Sequence, residues 1–228
     1  MSKSPVPNEW REARRQSARD AIVDAAWVLV REEGLAALTL RDLAKRARIT
    51  TPTVYAYFDS KHAIYDAMFA TGATEFADCM SEPYSSEASG DSQVVLSEGM
   101  RRVVDFCITD VARYQLLFQR TIPGFEPSAE SYAPAVRALE EARQRLARHG
   151  LGEPRHVDMW TALTTGLVDQ QISNDPGGDR WARLVDDFVA MFLAYCQPTK
   201  ATDKSAKPTT DTKNNKTNNK TTTTGARP

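Results

Sequence analysis

The stretch TLRDLAKRARITTPTVYAYFDSK, Thr39 to Lys61, holds two short helical patterns separated by a break at Arg48-Ile49. Thr39 stands where an N-cap belongs, and Asp42 lies three residues on, close to the positive end of the helix dipole. A short helix is therefore predicted over 39–47. After the break, Thr50 or Thr51 can cap a second helix over 51–58. Pro52 falls in its first turn, where the missing N–H is not needed. Val54 and Phe58, four residues apart, share the inward face of that helix, which leaves the hydroxyls of Thr51, Thr53, Tyr55 and Tyr57 pointing outward.

On either side of this stretch the apolar spacing also reads as helix. Upstream, Ile22, Ala25, Ala26 and Leu29 line one face of a helix over 13–33, and Gly34 stands where it should stop. Downstream, Asp59-Ser60 interrupts the pattern and Ser60 caps a longer helix from Lys61 to about Met80, with Ile64, Met68 and Phe76 on its inner side. Two short helices joined by a tight turn and held by a preceding helix make a helix-turn-helix, whose second helix lies in the DNA major groove. Outward hydroxyls are common phosphate contacts, and threonine methyls can touch a thymine methyl. Lys61 falls in the first turn of its helix, where a cation opposes the macrodipole unless an anion is there to be met. A DNA phosphate and a solvated surface lysine are both consistent with it. Arg11, Arg14, Arg15 and Arg19 likewise fit either contacts to phosphates or a minor groove, or a solvated helix start.

Further helices are predicted near 91–109, 110–120, 131–149, 154–173 and 179–197, and no run alternates as a strand does. The fold class is all-α, about nine helices in total. Residues 1–63 carry 11 Lys and Arg against 8 Asp and Glu, net +3, whereas residues 64–197 carry 11 against 20, net −9. Residues 198–228, rich in Lys, Thr and Asn, carry 7 against 2, net +5, and too little apolar surface to order themselves; a disordered basic tail is expected there. A basic end on an acidic body suits a nucleic-acid-binding protein. Cys79, Cys107 and Cys196 are odd in number and set among apolar residues, which points to reduced thiols. The polar N-terminus has no signal-peptide pattern and no apolar run is long enough to span a membrane, so a cytoplasmic location is expected.

The acidic body shows no nucleophile motif, zinc motif or phosphate loop, and His62, His149 and His156 lack ligand-like spacing, so neither catalysis, metal nor cofactor is expected. Phe106, Tyr114, Phe118, Arg120, Trp160 and Thr164 are candidates to line a mostly apolar ligand pocket, with ordinary core packing as the other reading of each. From Phe188 onward the last helix is apolar nearly all round and needs two partners: its own core and a second subunit, with Trp160, Leu163 and Leu167 completing the contact.

The runs Ala18-Arg-Asp-Ala-Ile-Val-Asp-Ala-Ala26, Gly34, Thr39-Leu-Arg-Asp-Leu-Ala44 and Thr53-Val-Tyr-Ala-Tyr-Phe-Asp-Ser-Lys61 resemble the DNA-binding domain of the tetracycline-repressor (TetR) family over about residues 15–66. The resemblance implies a three-helix DNA-binding domain over 1–63, a larger effector-binding and dimerisation domain over 64–197, a homodimer and a palindromic operator. It also implies that Thr39, Tyr55, Tyr57 and Lys61 contact phosphates and that Arg41, Thr51 and Thr53 read bases or lie beside those that do. The turn departs from the family pattern, which has glycine where this chain has Arg48; a left-handed residue there costs about 1 kcal/mol and adds a cation near DNA. The function expected is a ligand-responsive dimeric transcriptional repressor released by a small, largely apolar effector. The alternative is a helical small-molecule carrier with a vestigial helix-turn-helix.

Overall fold

Nine α-helices follow one another among the described residues: α1 (Pro7–Glu33), α2 (Leu40–Arg46), α3 (Thr51–Tyr55), α4 (Lys61–Ser81), α5 (Ser92–Thr109), α6 (Val111–Phe118), α7 (Ala129–Arg148), α8 (Pro154–Asn174) and α9 (Val185–Cys196). The computed structural model describes the backbone of residues 7–196 and side chains from Glu9; the tail expected over 198–228 lies outside the described residues.

Two interiors organise the chain. In the first, Ile22, Ala26, Leu29 and Val30 of α1 meet Leu43 and Ala44 of α2, Val54 of α3, Phe58, and Ile64, Met68 and Phe69 of α4; Ala112 and Leu116 of α6 close it. The second gathers Met100, Val104 and Cys107 of α5, Trp160, Leu167 and Val168 of α8, and Val185, Val189 and Phe192 of α9. The division expected between residues 63 and 64 falls within α4, which runs unbroken from Lys61 to Ser81 and packs along α7.

Several helix ends fall where their caps place them. Thr39 Oγ1 accepts from Asp42 N at 3.1 Å and donates to the Asp42 carboxylate at 2.6 Å. Thr50, rather than Thr51, caps α3, and Ser60 caps α4 by accepting from Ala63 N at 3.0 Å. Three boundaries differ from expectation by three residues or more: α3 ends at Tyr55 instead of 58, and two helix starts are displaced. α1 begins at Pro7 instead of 13, with proline in a first turn that needs no N–H there, although every residue from Glu9 to Ser17 is exposed. α9 begins at Val185 instead of 179. The buried Gln171 of α8 ties down the intervening loop: its Oε1 accepts from Trp181 N (2.8 Å) and Ala182 N (3.0 Å), and its amide donates to Asp175 O and, at 3.0 Å, to Gly178 O.

The packing of α8 and α9 corrects one expectation. Trp160, Leu167 and Phe192 are buried within their own chain, with the Trp160 and Phe192 rings 5.4 Å apart, so they do not face a partner. Exposed on these helices are, among others, Arg155, Asp158, Thr161, Ala162, Gly166 and Gln170 of α8 and Asp186, Asp187, Ala190, Met191, Ala194 and Tyr195 of α9.

Candidate nucleic-acid interface and ligand cleft

The turn between α2 and α3 is a Schellman closure, in which a left-handed residue after the C-cap lets two N–H groups reach back to the last helical carbonyls. Ile49 N donates to Ala44 O (2.9 Å) and Arg48 N to Lys45 O (3.2 Å). Arg48 supplies the left-handed residue with φ 56°, the sole positive-φ residue other than glycine among those described. The strained turn is therefore kept without glycine, and the Arg48 side chain stands exposed beside α3.

On α3, Val54 and Phe58 are fully buried as their spacing predicts. Tyr55 is 52% exposed, while Thr51, Thr53 and Tyr57 are half-buried. Thr53 Oγ1 lies 2.8 Å from Thr50 Oγ1, so its hydroxyl already takes part in the cap while its methyl is left for other contacts. Thr39 and Arg41 are exposed at the start of α2. Neither Arg41 nor Arg48 forms an ion pair with any described residue, whereas Arg46 of the same helix is held by Glu32 of α1. Lys61 opens α4, whose first turn contains no acidic residue, and its Nζ lies 5.4 Å from the Tyr65 ring.

Arg19 has a role its sequence position does not reveal. Its guanidinium donates to Tyr57 O and lies 4.3 Å over the Phe58 ring, satisfying a carbonyl in the turn that follows α3 and fixing that turn against α1. Residues 38 apart in sequence make this contact, so no local pattern foretells it.

The six candidate pocket residues do not line one cavity, although Tyr114 and Phe118 stack at 5.6 Å and the Phe76 ring bridges Phe118 (5.2 Å) and Phe106 (5.1 Å). Tyr114, Trp160 and Thr164 are buried: Tyr114 donates to Asp169 at 2.7 Å, and Thr164 donates back to Trp160 O at 2.8 Å. Phe106 lies under the Arg113 guanidinium, 3.7 Å away, on an open groove of about 640 Å³ that also holds Glu98, Arg101, Arg102 and Asp105. Phe118 and Arg120 line a different cleft of about 530 Å³, with Phe69, Leu116, Leu117, Ile122, Phe125 and Tyr132. Phe69, Phe125 and Tyr132 were missed because α4, the α6–α7 loop and α7 bring them together from distant parts of the chain.

This second cleft rests on the start of α4. The Phe125 ring lies 6.0 Å from His62 and 5.8 Å from Tyr65. Tyr65 donates to Leu35 O, between α1 and α2, at 2.6 Å, and burial pushes its hydroxyl up to about 12, so it remains a donor at neutral pH. Asp66 accepts from Ser128 N (2.7 Å), Ser128 Oγ (3.0 Å) and Ser131 Oγ (2.8 Å), which fastens the α6–α7 loop to the second turn of α4. A second tie joins Arg31 of α1 to Asp110, the cap of α6, at 2.7 Å.

Among the described residues no helix is long and apolar enough to cross a membrane, and no three His, Cys, Asp or Glu are grouped to hold a metal ion. Residues 22–68 match the family of bacterial regulatory proteins, tetR family. The chain is 35% identical over 74 residues to the class D tetracycline repressor protein of Escherichia coli and, to the same extent, to the class H protein of Photobacterium damsela subsp. piscicida. Each match covers 32% of this chain and 32% of the relative, so the chain spans about a third of the length of these curated relatives. Among solved structures, a tetR-family transcriptional regulator from Streptomyces coelicolor superposes with a TM-score of 0.60 at 20% identity, over 78% of this chain and 80% of that one. A TetR protein from Acinetobacter baumannii AYE in complex with minocycline superposes with a TM-score of 0.54 at 23% identity, over 77% and 94%. At these identities the structural likeness shows the shared all-α fold. Residues 22–68 thus form a module similar to that of the tetR family of bacterial regulatory proteins.

Proposed function

We propose that the chain is a ligand-responsive, dimeric transcriptional repressor acting in the cytoplasm, which grips a palindromic operator and is released by a small, largely apolar effector. The DNA-binding part is residues 1–63 and the effector-binding and dimerisation part 64–197. The observation that carries this reading is the exposed surface around α3. The side chains of Arg41, Arg48 and Tyr55 stand there without a hydrogen-bonding partner among the described residues, and Lys61 stands at a helix start with no acid in its first turn. Arg41, Thr51 and Thr53 are assigned to base edges or their neighbours, and Thr39, Arg48, Tyr55, Tyr57 and Lys61 to phosphates.

For the effector, the cleft containing Phe118 and Arg120 is favoured over the charged groove, because nine of its twelve lining residues are aromatic or aliphatic, with Gln119, Arg120 and Glu126 as its polar side chains. An effector there would act through Phe125 and Tyr65 on the start of α4, favouring a conformation in which the two recognition helices no longer match successive major grooves. The minocycline complex of the Acinetobacter relative supports a small-molecule ligand in a fold of this kind. Genomic mapping of bound sites, followed by footprinting with the purified chain, tests the reading. It should reveal a palindrome with half-sites about one helical turn apart. Arg41→Ala should relax preference at one position per half-site and cost about 1–3 kcal/mol, whereas Lys61→Ala should weaken all sites alike and flatten the salt dependence. Binding without sequence preference would refute the proposal.

A further inference from the structure

The charged groove and the aromatic cleft are separated by three aromatic rings. Phe106 walls the groove, Phe118 walls the cleft, and the Phe76 ring lies between them, its centroid 5.1 Å from Phe106 and 5.2 Å from Phe118. One face of α4 runs beneath both openings. Phe69 lines the cleft, Cys79 lines the groove, and Gly72 and Phe76 fall between them at steps of three and four residues. From Phe69 to Cys79 the helix rises about 15 Å at 1.5 Å per residue. At Gly72 helix α6 crosses closely: a Cβ there would lie 3.4 Å from Arg113 Cγ, on the groove side, and 3.5 Å from Leu117 Cδ1, on the cleft side. The two openings thus flank one helix crossing. Phe76 is only partly buried, and a ring that is not fully packed can change rotamer.

Charge distinguishes the two ends. In the groove each arginine is answered by an acid: Arg101 pairs with Asp186, Arg102 with Glu98 at 3.3 Å and Arg113 with Glu75 at 2.8 Å. Glu98 is occupied further, because it accepts from the N–H and hydroxyl groups of both Ser85 and Ser86. Asp105 is left over. It stands exposed on the groove wall, and its carboxylate forms no ion pair or hydrogen bond with any described residue. At the other end the cleft is walled by Phe69, Phe118 and Phe125, and its one arginine, Arg120, lies 3.8 Å from Glu126. The body around both is acidic, net −9 over residues 64–197, which favours the approach of a cation.

We infer that the groove and the cleft are the two ends of one binding site, and that its ligand is an elongated cationic amphiphile. A primary ammonium group is held at Asp105, an aliphatic chain displaces the Phe76 ring, and the far end of the chain lies among Phe69, Phe118 and Phe125. The inference rests on the proposed effector cleft and names the chemical class that cleft accepts. The surplus carboxylate selects the head group. The distance of about 15 Å along α4 selects a chain over a compact ring system. Two separate ligands, one in each opening, are the competing arrangement.

Calorimetry on the full chain tests this with n-alkylammonium ions of eight, ten and twelve carbons, kept below their micelle thresholds, and with n-alkanols of the same lengths as neutral controls. Ammonium affinity should rise about fourfold for each added methylene. Asp105→Asn, at an exposed residue, should weaken every ammonium about tenfold and leave the alkanols as they were. Phe118→Ala should weaken the twelve-carbon ion about tenfold and leave the eight-carbon ion unchanged, because only the longer chain reaches the cleft. Absence of ammonium binding, no effect of Asp105→Asn, or a Phe118→Ala loss that is equal at all lengths or nil overturns the inference, since the ligand then occupies one opening alone. Repeating the titrations with operator separates this from the effector reading. The length-dependent pattern with unchanged operator affinity sustains the spanning site and overturns the effector role; operator release by a compound that depends on Phe118 but not on Asp105 sustains the effector role and overturns the spanning site.

Discussion

Arg48 carries the clearest conflict between local and global demands. Its φ of 56° suits glycine, and holding a bulky residue there costs about 1–2 kcal/mol, partly offset in a comparison with glycine by the extra freedom glycine gives the unfolded chain. Arg48→Gly is expected to stabilise the protein by about 0.5–1 kcal/mol in chemical denaturation and to weaken operator binding at low salt. Arg48→Ala should lose the same DNA affinity without the gain in stability. A glycine variant that binds the operator as tightly as wild type would remove Arg48 from the interface. The strain itself was legible as a missing glycine, because the αL requirement of a tight helix-to-helix turn is local. The role of Arg19 was not legible, since the carbonyl it binds belongs to Tyr57, 38 residues away in the turn after α3.

At the scale of elements, α8 and α9 each divide between a face buried in the chain and an exposed surface, where Ala162, Gly166, Ala190 and Met191 stand with the charged Asp158, Asp186 and Asp187. Met191→Glu should leave the melting temperature nearly unchanged and shift sedimentation toward a monomer, with operator binding lost in parallel because two half-sites must be held together. Phe192→Glu places a charge in the interior beside Trp160 and should instead destabilise the fold by about 3 kcal/mol or more. Wild type sedimenting as a monomer at micromolar concentration would exclude the dimer. Periodicity revealed that α9 needs two apolar neighbours, but not which side each takes, because its residues are apolar almost all round. The delayed start of α9 has a similar origin: Gln171 engages the loop amides and carbonyls from another helix. Gln171→Leu leaves those groups without their partner and should cost about 3 kcal/mol, read as a lowered denaturation midpoint.

For the whole molecule, the proposed cleft and the proposed DNA surface share α4. Linkage makes their coupling reciprocal: the factor an effector takes from DNA affinity, DNA must take from effector affinity, typically 1–3 kcal/mol. A compound found by thermal-shift screening and measured by calorimetry with and without operator should obey this equality. Phe118→Ala should weaken the compound and spare DNA specificity. Phe125→Ala should retain more of the compound's affinity and lose the coupling, since it removes the ring contacts to His62 and Tyr65. Equal coupling in wild type and the Phe125 variant would exclude that route. The amino-acid sequence by itself determined the all-α class, the helix count, the caps at Thr39 and Ser60, and the burial of Val54 and Phe58. Caps, turns and helical periodicity act over three or four residues, and side-chain chemistry at that range is written in the chain. Only tertiary structure decided which aromatic residues form a cleft, which side of α9 is buried and where Arg19 points. Those outcomes depend on packing between helices far apart in sequence, where many apolar side chains are interchangeable until the neighbouring surface selects among them.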